Sequence, residues 1–265
     1  MVSRLAEAFA AAGAQGRAAL VGYLPAGFPT YDGCLAALRA MVEAGVDVVE
    51  VGLPYSDPLI DGPTIQVAVD RALANGTRMP DVLRTVEAVA QTGAATLVMT
   101  YWNPVEHLGA GRFARQLADA GGAGAITPDL TPEEAGEWLS AARALDLATV
   151  FLVAPSSTDE RVALVAGHCR GFVYAASTMG VTGARERVSE RAAELVARVR
   201  KVTDLPVGVG LGVASGEQAA QVAGYADGVI VGSAFVRRLL DTPGPEGVEA
   251  VRAFAAELAA GVRRR

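Results

Sequence analysis

Glu50 and Asp61 are the two side chains of this chain best set for proton-transfer chemistry. Glu50 interrupts an apolar, β-branched run, Val46 to Val51, of the kind that forms a strand buried on both faces. A carboxylate carried into such a core without a partner has its pKa pushed toward neutrality, which is the poise of a general acid and base. Asp61 follows a stiff turn, Leu53-Pro54-Tyr55-Ser56-Asp57-Pro58-Leu59-Ile60, and precedes a helix start at Pro63. It can face Glu50 across a pocket or simply cap that helix. Asp57, within Ser56-Asp57-Pro58, fits a turn-making or interface role better, since Ser and Asp ahead of Pro bond local backbone.

A second group of residues suits an anion. Gly180-Val181-Thr182-Gly183, Gly210-Leu211-Gly212 and Gly232-Ser233 each follow an apolar run, and Ser233 opens a helical stretch, Ser233-Ala234-Phe235-Val236-Arg237. Glycine lets backbone N–H groups approach a phosphate, and a helix N-terminus adds its dipole. Three unrelated helix-entry turns would read the same way. Other chemistries lack their residues. His107 and His168 stand apart from any second ligand in metal spacing, and Cys34 and Cys169 read as buried thiols. No nucleophile elbow or Walker loop is present, and Lys201 falls on a helix rather than a strand. What remains is acid–base work on a phosphorylated substrate, with no metal.

Positioning these residues requires a repeated scaffold. Eight apolar runs alternate with helix-period segments: Ala19–Leu24, Val46–Val51, Thr96–Thr100, Ala123–Ile126, Thr149–Val153, Phe172–Ala175, Val207–Val209 and Gly228–Val231. Capping-box spacings at Thr131–Glu134, Ser157–Glu160 and Ser215–Gln218 mark helix starts. Strand and helix alternating eight times predict an α/β fold in which a parallel sheet closes into a (β/α)8 barrel, the TIM barrel. The rival, an open doubly wound sheet, wants a dinucleotide fingerprint, and Gly210 to Gly216 has one residue too many and comes too late. Two additions are expected: an N-terminal helix to about Gly13 covering the barrel bottom, and an extra helix, Gly62 to Asn75, after the second strand. No linker divides residues 1–265, which are expected to form one domain.

The barrel acts as a filter, because its active site lies where strands end and the following loops begin. Glu50, Tyr101, Asp129, Tyr174, Asp57 and Asp61 pass it, with Tyr101 and Tyr174 equally readable as core residues. The loops after the seventh and eighth strands, with a short helix, are this fold's usual phosphate site. The composition, 51% hydrophobic but only 6% aromatic, supplies a core of Ala, Val and Leu. A net charge of −6 argues against a nucleic-acid surface, and the basic run Arg263 to Arg265 reads as a solvated helix end. No apolar stretch is long enough to span a membrane, and the first residues are too polar for a secretory signal, so a cytoplasmic location is expected.

The stretch from Val48 to Gln66 resembles the signature of the tryptophan synthase alpha subunit family. So do Gly22 to Gly27, Met99 to Pro104, Pro128-Asp129-Leu130, Phe151 to Pro155 and Ser177 to Ala184, which extends the likeness over nearly the whole chain. The resemblance implies a carbon–carbon lyase of tryptophan biosynthesis that cleaves indole-3-glycerol phosphate to indole and glyceraldehyde 3-phosphate. It implies a beta-subunit partner in an α2β2 heterotetramer, with pyridoxal phosphate in the partner and no cofactor in this chain. By the same match Glu50 and Asp61 are catalytic, Tyr174 is a wall beside Glu50, and Gly183, Gly212, Gly232 and Ser233 form the phosphate cradle. Thr182 would reach Asp61 when a lid, Ser177 to Arg187, closes.

Three positions depart from the commonest family pattern: Leu211 for Phe, Ile60 for Ala, and Phe28 for Asp. Leu211 removes an aromatic wall, and the other two are expected to alter the pocket entrance or partner surface. Two other readings remain open: a stand-alone lyase that releases indole, and a silent barrel that only activates a partner.

Overall fold

A computed structural model describes residues 4–176, 185–210 and 212–264, with backbone alone over 185–189. The chain alternates as expected. Helix α1 (Arg4–Ala14) precedes β1 (Ala19–Pro25), α2 (Tyr31–Glu43) and β2 (Val48–Gly52). The extra helix α3 (Pro63–Ala74) comes next, then α4 (Met79–Ala90) and β3 (Ala95–Met99). Two helices, α5 (Trp102–Leu108) and α6 (Ala110–Asp119), lead to β4 (Gly124–Ile126) and α7 (Gly136–Ala144). The fifth run is β5 (Ala148–Val150) and β6 (Leu152–Val153), followed by α8 (Asp159–His168), β7 (Val173–Ala176) and α9 (Arg185–Val199). Last come β8 (Val207–Gly210), α10 (Gly216–Ala223), β9 (Gly228–Val231), α11 (Ser233–Asp241) and α12 (Pro245–Val262).

The strands form one parallel sheet in the order β5-β4-β3-β2-β1-β9-β8-β7-β6. Its two ends, β5 and β6, are halves of one chain segment parted at Phe151, so the sheet is a ring. Thr127 N–H donates to Val150 O on one side of the break and Tyr174 N–H to Phe151 O on the other, each at 3.2 Å. The fifth expected strand is thus one that changes neighbours midway.

Period-two alternation sorts the strand residues into two cores. Val49 and Val51 of β2 face the helices, whereas Val48 faces the barrel interior with Val21, Leu97 and Ile230. Glu50, two residues on from Val48, therefore points inward as well. The same step carries Val21 to Tyr23 and Phe172 to Tyr174. Helix α1 closes the opposite end as expected: Leu5, Phe9 and Ala12 join the interior cluster, with the Phe9 and Phe172 rings 5.2 Å apart. At that end Arg17 donates from both guanidinium nitrogens to Asp47, at 2.6 and 2.7 Å.

Local signals were partly displaced. The second strand begins at Val48 rather than Val46, because Asp47 is occupied by Arg17 and by Leu20 N–H at 2.8 Å. Ser215 caps α10 as expected, bonding Gln218 N–H. For α8 the cap is Thr158, one residue after Ser157, whose hydroxyl instead accepts from Ala154 N–H. Thr131 bonds the Glu134 carboxylate within a turn, and α7 starts only at Gly136. Gly109, at φ 90°, divides α5 from α6. Among the described residues no helix is long and apolar enough to cross a membrane.

Candidate active site

At the C-terminal mouth of the barrel lies a cavity of about 500 Å³. Glu50, Asp61, Tyr174, Gly212, Gly232 and Ser233 all line it, together with Tyr23, Ile60 and Gly210. Six of the eight expected site residues are therefore brought together from five separate segments. The other two, Thr182 and Gly183, lie outside the described residues, as do Leu211 and residues 177–184 of the expected lid; Arg185 to Arg187 belong to α9.

Glu50 sits in the middle of β2 and is 1% exposed. Among the described residues its Oε1 has no hydrogen-bond partner, neither an Arg nor a backbone donor. Burial alone pushes its pKa from 4.5 up to about 8. At neutral pH the group is chiefly a neutral acid that can give a proton and take one back.

Two tyrosines hold the walls beside it. Tyr23 is the register partner of Glu50 on β1, and Tyr174 reaches in from β7. Each lies across a glycine at a strand end. A Cβ on Gly210 would stand 2.6 Å from the Tyr174 hydroxyl, and one on Gly52 would stand 2.7 Å from two ring carbons of Tyr23. Burial holds both phenols well above 10, so they stay neutral. Tyr23 was not anticipated, because one aromatic in an apolar run reads as core. The glycine after the neighbouring strand, Gly52, was the available signal.

Asp61 is not the cap of α3; Gly62 holds that position without a side-chain bond, and Pro63 begins the helix. Its carboxyl is pushed up by burial and held down by the Tyr101 hydroxyl, which also accepts from Leu59 N–H at 3.1 Å and Ile60 N–H at 3.0 Å. Asp57 stays local, bonded by the Ser56 hydroxyl at 2.5 Å. Asp129 caps α5 by accepting from Trp102 N–H at 2.9 Å and does not line the cavity. Phe28 is a correction: it is fully buried in the core beneath Arg71, not at the pocket entrance. Ile60 does border the cavity and is 53% exposed.

Across from the carboxylates the backbone is shaped for an anion. Gly212 takes φ +66°, a left-handed conformation that a side chain would strain. Gly232 N-caps α11, its carbonyl accepting from Phe235 N–H at 2.9 Å and Val236 N–H at 3.2 Å. The first amides of that helix have no partner within it and point at the cavity end. Arg237 of α11 donates to Thr64 Oγ1 of α3 at 2.8 Å, tying the phosphate side to the Asp61 side. A larger cavity, about 730 Å³, opens at the other end under α1. Its Arg170 and Arg200 are paired with Asp146 and Asp227, and its remaining acid, Asp204, is exposed rather than buried like Glu50.

Comparison with known proteins gives the same direction. The family model described as tryptophan synthase alpha chain matches residues 9–262. The tryptophan synthase alpha chain of Salinispora tropica is 62% identical over 263 residues, covering 99% of this chain and 98% of the relative. That of Acidothermus cellulolyticus is 60% identical, with the same coverage. Among solved structures, tryptophan synthase from Mycobacterium tuberculosis superposes with a TM-score of 0.92 at 56% identity, covering 99% of each chain. The alpha subunit from Legionella pneumophila gives 0.90 at 30% identity, covering 100% of each.

Proposed function

Because this chain belongs to the tryptophan synthase alpha chain family, we propose that Glu50 and Asp61 perform its reaction between them. The chain is the lyase that cleaves indole-3-glycerol phosphate to indole and glyceraldehyde 3-phosphate, and its family implies a beta-subunit partner. The observation that carries the residue assignment is the buried Glu50, its Oε1 without a partner among the described residues and its pKa raised to about 8, opening on the same cavity as Asp61.

The reaction is a reverse aldol. Neutral Glu50 delivers a proton to indole C3, and the ring becomes an indolenine-like cation whose N–H is accepted by the Asp61 carboxylate. Glu50, now ionised, takes the proton of the adjacent glycerol hydroxyl. The oxygen closes to a carbonyl, the C–C bond breaks, and its electron pair restores the indole. Glu50 ends as it began. Groups of this kind typically contribute about 10² to 10⁴ in rate, on the order of 3 to 5 kcal/mol of barrier.

The phosphate rests on Gly212, Gly232 and Ser233 at the α11 N-terminus, with Gly183 completing the cradle. Tyr174 walls the ring, and Thr182 bonds Asp61 in the closed state. The partner completes an α2β2 assembly that receives the indole, and pyridoxal phosphate belongs to its site. Leu59 at 73% exposure and Ile60 beside it give the mouth an apolar rim consistent with such a partner. Residues 1–265 act as one domain, in the cytoplasm.

The test is indole release from indole-3-glycerol phosphate by Glu50→Gln, which keeps the volume and cannot shuttle a proton. Loss of activity in a folded variant is expected; more than roughly a tenth of wild-type turnover would remove the assignment.

A further inference from the structure

We propose that Tyr101 is a positioning residue for this reaction, its hydroxyl holding the loop between β2 and α3 so that the Asp61 carboxylate meets the ring nitrogen of the substrate. The inference rests on the role proposed above for Asp61.

Tyr101 follows β3, is 5% exposed, and reaches under the loop that carries Asp61. A phenol oxygen has one hydrogen to give and room to accept about two. The amides of Leu59 and Ile60, at 3.1 and 3.0 Å, take the accepting side. That leaves the phenol hydrogen free, and Asp61 lines the same small pocket beside it, its carboxylate the acceptor this inference assigns to that hydrogen. Leu59 and Ile60 themselves stand in solvent at 73% and 53% exposure, so a buried side chain, not packing of their own, ties this part of the loop down. The phenol is itself fixed. Its ring packs on Tyr55 at 5.4 Å between centroids, and the Tyr55 hydroxyl accepts from Asn103 Nδ2 at 3.0 Å.

A hydroxyl committed in this way favours one state of Asp61. A bond given to the carboxylate favours its charged form and so opposes the burial that pushes Asp61 up. An ionised Asp61 is what an indole N–H requires. The other groups around this carboxylate are Tyr23 of β1, Glu50 of β2 and Tyr174 of β7, with Arg237 of α11 engaged on Thr64. None of them is placed to do both jobs of Tyr101.

Tyr101→Phe keeps the ring and removes only the hydroxyl. In steady-state indole release the expected result is a fall in kcat of roughly tenfold with KM changed less than about twofold, and an acidic limb of the kcat profile moved to higher pH. With 13C-carboxyl aspartate, the Asp61 signal, assigned by its absence in Asp61→Asn, should titrate at higher pH in Tyr101→Phe. An unshifted carboxyl titration overturns the inference, whether kcat is retained or is lost along with thermal stability. The Asp61→Asn variant separates the two levels of reading. Full activity there removes the role of Asp61 itself; inactivity there, with wild-type behaviour in Tyr101→Phe, removes only that of Tyr101.

Discussion

The ring of Tyr23 fills the space that a side chain on Gly52 would need, with two ring carbons 2.7 Å from the position of a Cβ. The two residues come from adjacent strands, and Tyr23 is also the register partner of Glu50. Gly52→Ala should therefore push the phenol toward the cavity and lower turnover at least tenfold. Restoring part of that activity with Tyr23→Leu in the same chain would identify the clash as the cause, and failure of the second change to help would reject it.

The acid poise of Glu50 sets a pH limit. Since the neutral carboxyl is the form that protonates indole C3, kcat/KM should decline as pH rises through about 8. A profile level to pH 9.5 would contradict the assignment.

Stability reports the same group over a lower pH window. Below about pH 4.5 Glu50 is neutral whether folded or unfolded; above it the unfolded chain ionises first, which favours unfolding until the folded group ionises near 8. Wild type should thus lose stability relative to Glu50→Gln across that window, at up to about 1.4 kcal/mol per pH unit, and hold a constant deficit above it. Denaturant midpoints at pH 4, 6 and 9 measure the gap. A gap that does not widen with pH would place the carboxylate in contact with water or a cation.

Ser233→Asp places a negative charge at the first turn of α11, where the substrate phosphate is to sit. KM for indole-3-glycerol phosphate should rise at least tenfold while the unfolding midpoint stays within a few degrees, because a carboxylate at a helix N-terminus is favourable in itself. An unchanged KM would remove the cradle.

At the far end of the barrel, Arg17 and Asp47 are 7% and 17% exposed and joined by two bonds. Arg17→Ala should destabilise the fold by about 3 kcal/mol, since a largely buried carboxylate loses its cation. Turnover of the remaining folded protein should be unchanged. Urea unfolding at low and high salt tests both the size and the weak salt dependence expected of a buried pair.

Much of this architecture was legible in the order of residues. Eight apolar runs became eight strand positions, and α3 and α1 fell where extra helices were expected. Glu50 and Asp61 stood out because carboxylates are rare in buried runs and in stiff turns. What escaped was tertiary in origin. Nothing local shows that Thr149 to Val153 breaks at Phe151, since the break serves two different neighbouring strands. Tyr23 reads as an ordinary core aromatic, and Tyr101 as a residue that could be either core or site, until both are seen to line pockets with carboxylates from other elements. Phe28 misled for the converse reason: a loop position suggested exposure, and the fold buried it.

The pairing of β1 with β9 has a consequence for how the chain is made. β1 leaves the ribosome some 200 residues ahead of β9, yet Ala19 to Gly22 must lie against Gly228 to Val231. Until then the nascent protein carries an unsealed strand edge on each side, with apolar surface on both faces. Contacts this distant in sequence slow the search for the native ring. A chain truncated before Gly228 should accordingly remain soluble only with chaperone help, and the synthesis of β9 serves as the seal of the whole barrel.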